Sequence, residues 1–164
     1  MKKVLATALF LIASPSFAAE DVERLTVMKV TASPVLSHGV DVNKVPAHIQ
    51  VVTAEQLEAA QSLSLADYMN QHMGSVFVNE TQNNPLQPDV YYRGFSASPL
   101  LGLPQGLSVY LNGVRFNEPF GDTVNWDLIP SNAIDSMALM SGSNPLYGQN
   151  TLGGAIAVKS KTGF

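Results

Sequence analysis

The sequence predicts a small α+β domain around a mixed β-sheet with short helices, preceded by a signal peptide and an extended arm. Three observations carry that expectation. Asn112-Gly113 sits between Val109-Tyr110-Leu111 and Val114-Arg115-Phe116. Two capped helical segments follow a single strand near residue 50. Short apolar segments, separated by turn-rich loops, then recur to the end of the chain.

An Asn-Gly pair takes the positive φ angles of a type I′ turn cheaply, so residues 109–116 are expected to form a β-hairpin. Pro46 marks entry to the folded part, and Ile49-Gln50-Val51-Val52-Thr53 reads as a strand. Thr53 and Gln56 have capping-box spacing, which predicts a helix over 54–61. Ser64 caps a second helix whose Leu65, Tyr68, Met69 and Met73 share a face, and Gly74 suits the C′ position that ends it. Val76-Phe77-Val78 and 90–93 are expected strands. The segments 79–88, 96–106 and 117–127 read as loops. Ser131 is expected to cap a helical turn reaching Asp135. Residues 136–140 and 155–158 are the last strands; in the latter, Ile156 and Val158 share one face, and Ala157 and Lys159 the other.

The start of the chain has a different character. Lys2 and Lys3 precede a ten-residue apolar run, 4–13, and Ser16-Phe17-Ala18 places small residues where a signal peptidase reads them. This predicts a secretory signal peptide over 1–18, cleaved after Ala18. A membrane anchor would need ~20 apolar residues. Residues 19–43 hold no aromatic side chain and read as an extended arm. Within it, residues 25–31 are rich in β-formers and could become a strand when something pairs with them.

Composition narrows the function classes. The chain has 164 residues, 13% of them charged and 46% hydrophobic, which favours a packed core over disorder. It has no cysteine, which excludes disulfides and thiolate metal sites. Losing Lys2 and Lys3 with the signal peptide takes the net charge from −4 to −6. An acidic chain without a basic cluster argues against a nucleic-acid partner. His38, His48 and His72 are isolated from one another, and no nucleophile, base and orienting group assemble. No catalytic residue, metal ligand or cofactor is therefore expected. Asp122, Asp127 and Glu118 share one loop, but not with EF-hand spacing.

Several segments, taken in order, resemble the plug domain of TonB-dependent outer-membrane receptors. Residues 45–57 look like the plug's opening strand and helix. Tyr92-Arg93-Gly94-Phe95 is similar to "IRGF", and Val109 to Val114 to "VYLDGV". Asp127-Leu128-Ile129-Pro130 followed by Ile134-Asp135-Ser136-Met137 resembles "LIPxxxIExIEV". Leu146-Tyr147-Gly148 followed by Leu152 to Val158 resembles "LYGxxALGGVINI". There are departures. Ser141 stands where the family commonly has an arginine, and Met73 where it has a proline.

The resemblance implies a plug over 44–161, with 162–164 leading into a barrel that these 164 residues do not contain, as in a truncated product or a fragment of a longer protein. It implies an outer-membrane location and active uptake of a scarce ligand, most commonly a ferric siderophore or other metal chelate. Cobalamin, haem and sugars are also carried in the family. Thr26, Val27, Met28, Lys29, Val30, Thr31 and Ala32 look like the TonB box, which pairs with an edge strand of periplasmic TonB. Arg93 becomes a candidate contact to the barrel. Three loops become candidate ligand-facing segments, with Asn83, Asn84 and Gln87 in the first, Ser96, Ser98 and Leu101 in the second, and Asn117, Phe120, Asp122 and Trp126 in the third. The alternative is a freestanding periplasmic binding module with a plug-like fold.

Overall fold

A computed structural model describes residues 29–30, 40–41, 46–80, 82–143 and 147–163. The expected signal peptide, 1–18, lies outside the described residues, as do Thr26, Val27, Met28, Thr31 and Ala32 of the expected TonB box. Lys29–Val30 forms β1, paired antiparallel with β2, Val40–Asp41.

The folded body is α+β, as expected, but its strands divide between two sheets. β3 (Ile49–Thr53) leads into α1 (Ala54–Ala60) and α2 (Leu65–His72). Then come β4 (Val76–Asn79), β5 (Asp89–Tyr92) and β6 (Phe95–Ala97), an antiparallel three-stranded sheet. β7 (Leu107–Leu111), β8 (Val114–Arg115), β9 (Ile134–Ser141) and β10 (Gly154–Ser160) join β3 in a five-stranded sheet of order β3-β9-β10-β7-β8. The β10–β7 pair is parallel and the others antiparallel, so the sheet is mixed.

Local chemistry explains the elements. The Gln56 side chain accepts from the Thr53 N–H at 3.1 Å, and Ser64 Oγ accepts from the Asp67 N–H at 3.1 Å, so each helix starts on a satisfied donor. Gly74 follows α2 as expected, yet the left-handed residue is Ser75, at φ 63°. Gln50 accounts for the difference: it accepts from the Gly74 N–H at 2.7 Å and donates to the Gly74 carbonyl at 3.0 Å, tying the helix end to β3.

Asn112 and Gly113, at φ 53° and 84°, make the two-residue turn between β7 and β8, with Leu111 opposite Val114. A second two-residue turn joins β5 to β6, where a loop was expected from Ser96 onward. Arg93 and Gly94 lie at φ 51° and 88°, and Tyr92 faces Phe95. The expected helical turn at Ser131 is a short 3-10 turn, Ser131–Ala133, and Trp126–Leu128 forms another.

The five-stranded sheet is covered on both faces. Val52, Val109, Met137, Leu139, Ile156 and Val158 point to the side holding α2 and the three-stranded sheet. There they meet Leu65, Met69, Met73, Tyr92 and Trp126. Each fully buried side chain of this size contributes about 1.5–3 kcal/mol. Ala138, Met140, Ala155 and Tyr110 occupy the opposite face with Tyr147, and Ala157 packs against them. The alternation expected in β10 is thus realised, with Lys159 exposed.

Candidate functional site

Strand directions gather the irregular segments at one end. β7 and β10 run parallel, with Leu107 beside Gly154, while β9 ends at Ser141 opposite Gly154. β8 runs back along β7 and ends at Arg115. The segments that enter β7 and β10, and those that leave β8 and β9, therefore emerge together. The Asn112-Gly113 turn and Lys161 lie at the other end.

The three expected loops meet here. Asp89, at the end of the 80–88 loop, accepts a hydrogen bond from the Ser98 hydroxyl. The Ser98 carbonyl accepts from the Val124 N–H at 2.9 Å. Trp126 donates its indole N–H to the Ala97 carbonyl at 3.1 Å. Gln87 donates to Asp127 at 3.2 Å. Every pair among the three loops is bridged.

A fourth segment, 147–153, joins them and was not among the expected ligand-facing loops. Arg115 donates from Nη2 to Asp122 at 2.8 Å and from Nη1 to the Gln149 carbonyl at 2.8 Å. Asn150 donates to the second Asp122 oxygen at 2.6 Å. Leu152 and Gly153 N–H both reach the Gly106 carbonyl, at 3.0 and 2.9 Å. Phe95 packs over Gly106 and Gly153 so closely that a Cβ on Gly153 would lie 2.5 Å from its ring. Only a residue without a side chain fits that approach. Two of the motifs noted above, at 92–95 and 152–158, therefore meet in one contact.

The expected ligand-facing side chains divide by exposure. Leu101 and Phe120 are the most exposed, at 61% and 77%. Asn83 is exposed; Asn84 and Gln87 are half-buried. Asn84 turns back to accept from the Leu86 N–H at 3.1 Å. Asp122 is half-buried in the Arg115 network. Ser96, Ser98, Asn117 and Trp126 are buried, so the expectation that these four present surface to a ligand is corrected.

They hold the loops instead, because a buried irregular backbone must find partners for its own N–H and C=O groups. Asn117 accepts from the Val109 N–H at 2.7 Å and donates to the Leu107 and Asp122 carbonyls, both at 3.1 Å. Ser96 donates to the Pro104 carbonyl at 2.6 Å. Gln105, unmarked in the sequence reading, accepts from the Ser98 N–H at 2.9 Å. Leu86 and Leu152, also unmarked, join Leu101 and Phe120 as exposed apolar side chains on these loops.

Arg93 stands apart, exposed on its turn at the far end of the three-stranded sheet from the 80–88 loop. Its guanidinium lies 5.1 Å from the centre of the Tyr92 ring. On the second face of the large sheet, burial and the neighbouring Tyr110 push the Tyr147 phenol up to about 12. Among the described residues no group of three His, Asp or Glu side chains is arranged to hold a metal ion.

Comparison with known proteins agrees with this architecture. The family model for the TonB-dependent receptor plug domain matches residues 41–155. A protein named vitamin B12 transporter BtuB, from Photobacterium profundum, is 31% identical over 160 residues, covering 96% of this chain and 24% of that protein. The chain thus spans about a quarter of that relative's length. The ferric yersiniabactin uptake receptor FyuA of Yersinia pestis superposes with a TM-score of 0.53 at 21% identity, over 71% of this chain and 17% of that one. The ferric-catecholate import receptor Fiu of E. coli K12 superposes with a TM-score of 0.55 at 18% identity, over 82% and 17%. These two likenesses speak to the fold. The family match covers well over half of the chain, and with it this chain belongs to the TonB-dependent receptor plug domain family.

Proposed function

We propose that the chain is the exported plug of a TonB-dependent outer-membrane receptor that takes up a scarce metal chelate. The observation that carries this reading is the bridged crown of four loops at one end of the mixed sheet. It offers a firm, irregular surface with exposed tips, as a binding face requires. The relatives' names fit a chelate cargo: one is called a vitamin B12 transporter, another a ferric yersiniabactin receptor.

In this reading the crown faces outward to the ligand, through Asn83, Leu101, Phe120 and Asp122, with Asn84 and Gln87 at its rim. The 26–32 segment faces the periplasm and pairs with TonB by strand addition, in which backbone hydrogen bonds supply the affinity. Exposed Arg93 faces the barrel wall, where a carboxylate would complete it. The transport activity belongs to the whole receptor.

Site-directed disulfide trapping tests the coupling step without knowledge of the ligand. The chain has no cysteine, so a single one placed at Val27 or Thr31 is unambiguous. Paired with a cysteine in the edge strand of TonB, it should give a linked species in oxidised cells. Proline at Val27 and Val30 should abolish it, because proline cannot donate to a ladder. Absence of a linked species at every position from 26 to 32 would overturn the assignment.

A further inference from the structure

Asn112-Gly113, at the end of the large sheet away from the crown, carries a chemistry that its turn does not use. It is the one Asn-Gly pair in the sequence. The backbone nitrogen after an asparagine can attack the side-chain Cγ, and a glycine, with no Cβ, leaves that nitrogen least hindered. A bond forms between Gly113 N and Asn112 Cγ, the Cγ–Nδ2 bond breaks, and Nδ2 leaves as ammonia with the proton of the Gly113 N–H. Water then opens the cyclic imide at either carbonyl. One opening gives aspartate. The other gives isoaspartate, whose backbone runs through the former side chain and is one methylene longer.

Asn112 and Gly113 are exposed, so water reaches them. Two features hold the reaction off. The first is the backbone. Asn112 sits at φ 53°, in the left-handed region, where Cβ lies close to the residue's own carbonyl oxygen. The Gly113 nitrogen is bonded to the same carbonyl carbon on the side opposite that oxygen, so it points away from Cβ and Cγ. The five-membered ring closes only after a large rotation about Asn112 ψ, and that rotation breaks the turn which joins Leu111 to Val114.

The second feature is the side chain. The Asn112 N–H donates to the Val158 carbonyl at 2.9 Å, continuing the β7–β10 ladder. The next rung goes to the side chain. Oδ1 accepts from the Ser160 N–H at 2.9 Å and from the Ser160 hydroxyl at 3.1 Å, and Nδ2 donates to that hydroxyl at 2.9 Å. The leaving group and the carbon it would leave are thus both clasped to β10.

We infer that Asn112 is a deamidation site gated by the fold. It stays an amide while the β7–β8 turn and Ser160 hold it, and converts to aspartate and isoaspartate in molecules whose sheet has opened at this end. The conversion is a covalent record of opening, because isoaspartate lengthens a turn built for two residues and places a negative charge beside Ser160. The inference is independent of the ligand and of the reading proposed above.

The test uses outer-membrane vesicles from cells producing the complete gene product that contains this chain. They are incubated for days at mildly alkaline pH, then digested with trypsin. Mass spectrometry of the peptide holding Asn112 reads the exchange of amide for acid, and electron-based fragmentation separates isoaspartate from aspartate. The reference is the same peptide, released first and incubated alike. Asn112 in the intact protein should convert at least about tenfold more slowly than in the free peptide. Ser160→Ala removes both hydroxyl bonds and leaves the turn, and should speed conversion in the intact protein about fivefold. Ser160→Thr keeps a hydroxyl and should convert as slowly as the parent. Conversion in the unaltered protein as fast as in the free peptide would overturn the gating, whatever the variants do. A Ser160→Ala rate equal to the parent's would overturn the clasp, and so would equal acceleration in Ser160→Thr, which would mark general loosening of the sheet end.

Discussion

Asp122 joins three segments, and its substitution gives a measurable account of how the crown is held. One carboxylate oxygen takes Arg115 and the other takes Asn150, while its carbonyl takes Asn117. The Arg115 and Asp122 side chains are 28% and 22% exposed. An exposed pair contributes ~0–1 kcal/mol and breaking a fully buried one costs ~3–5 kcal/mol, so this half-buried pair falls between. Asp122 also sits at φ 58°, where aspartate is tolerated. Alanine there costs about 1 kcal/mol.

Asp122→Ala should therefore destabilise the fold by about 2–3 kcal/mol, the sum of lost charged hydrogen bonds and backbone strain. Asp122→Gly removes the strain and should recover about 1 kcal/mol of that loss. Asp122→Asn keeps the turn preference and an acceptor, and should cost about 1 kcal/mol. A double-mutant cycle with Arg115→Met should show a coupling of about 1 kcal/mol. Urea unfolding followed by the emission of Trp126 reads the single variants and the double variant alike, since it is the only tryptophan and is buried beside these loops. Additive effects of Arg115→Met and Asp122→Asn would refute the coupling. An Asp122→Ala variant as stable as the parent would refute the whole account.

Gly153→Ala must push Phe95 off the two glycines beneath it, and should cost about 2–4 kcal/mol in the same unfolding assay. Tyr92→Phe should be neutral or stabilise by up to about 2 kcal/mol, because the Tyr92 hydroxyl is fully buried and finds no hydrogen-bond partner among the described residues; a loss of more than about 1 kcal/mol would point to a further partner. A phenol raised to about 12 keeps its proton in the fold after the unfolded chain has lost it near pH 10. The stability that Tyr147 contributes in this way is thus complete below about pH 10 and drains away as pH rises toward 12. Alkaline unfolding of Tyr147→Phe should lack that part of the decline.

Elements with a complete local reason were legible in the sequence. The Asn112-Gly113 hairpin, the Ser64 cap and the one-sided face of α2 each rest on neighbouring residues alone. The β5–β6 hairpin escaped because its turn is Arg93-Gly94. Arginine is strained at φ 51° where asparagine largely is not, so no local preference announces the turn. The position of Ser75 depends on Gln50, twenty-four residues before Gly74, and long-range hydrogen bonds leave no periodic trace. The partition into two sheets is likewise a matter of pairing at a distance.

The same reasoning explains why the three loops could be found but several of their side chains were misassigned. A loop of mixed polar and aromatic composition is what a binding surface needs. It is also what a buried, irregular backbone needs, because each N–H and C=O withdrawn from water must be matched. Asn117 acts as one more residue of strand pairing alongside β7, and Ser98 and Gln105 close the second loop on itself. Trp126 fills the core and commits its indole N–H to Ala97. Composition cannot separate these duties from ligand contact, but burial can. What remains outside after the internal bonds are counted is a set of apolar tips and unneutralised carboxylates. In the proposed reading, ligand selectivity should therefore follow those leftovers, and substitutions at the bonded polar residues should report on folding first.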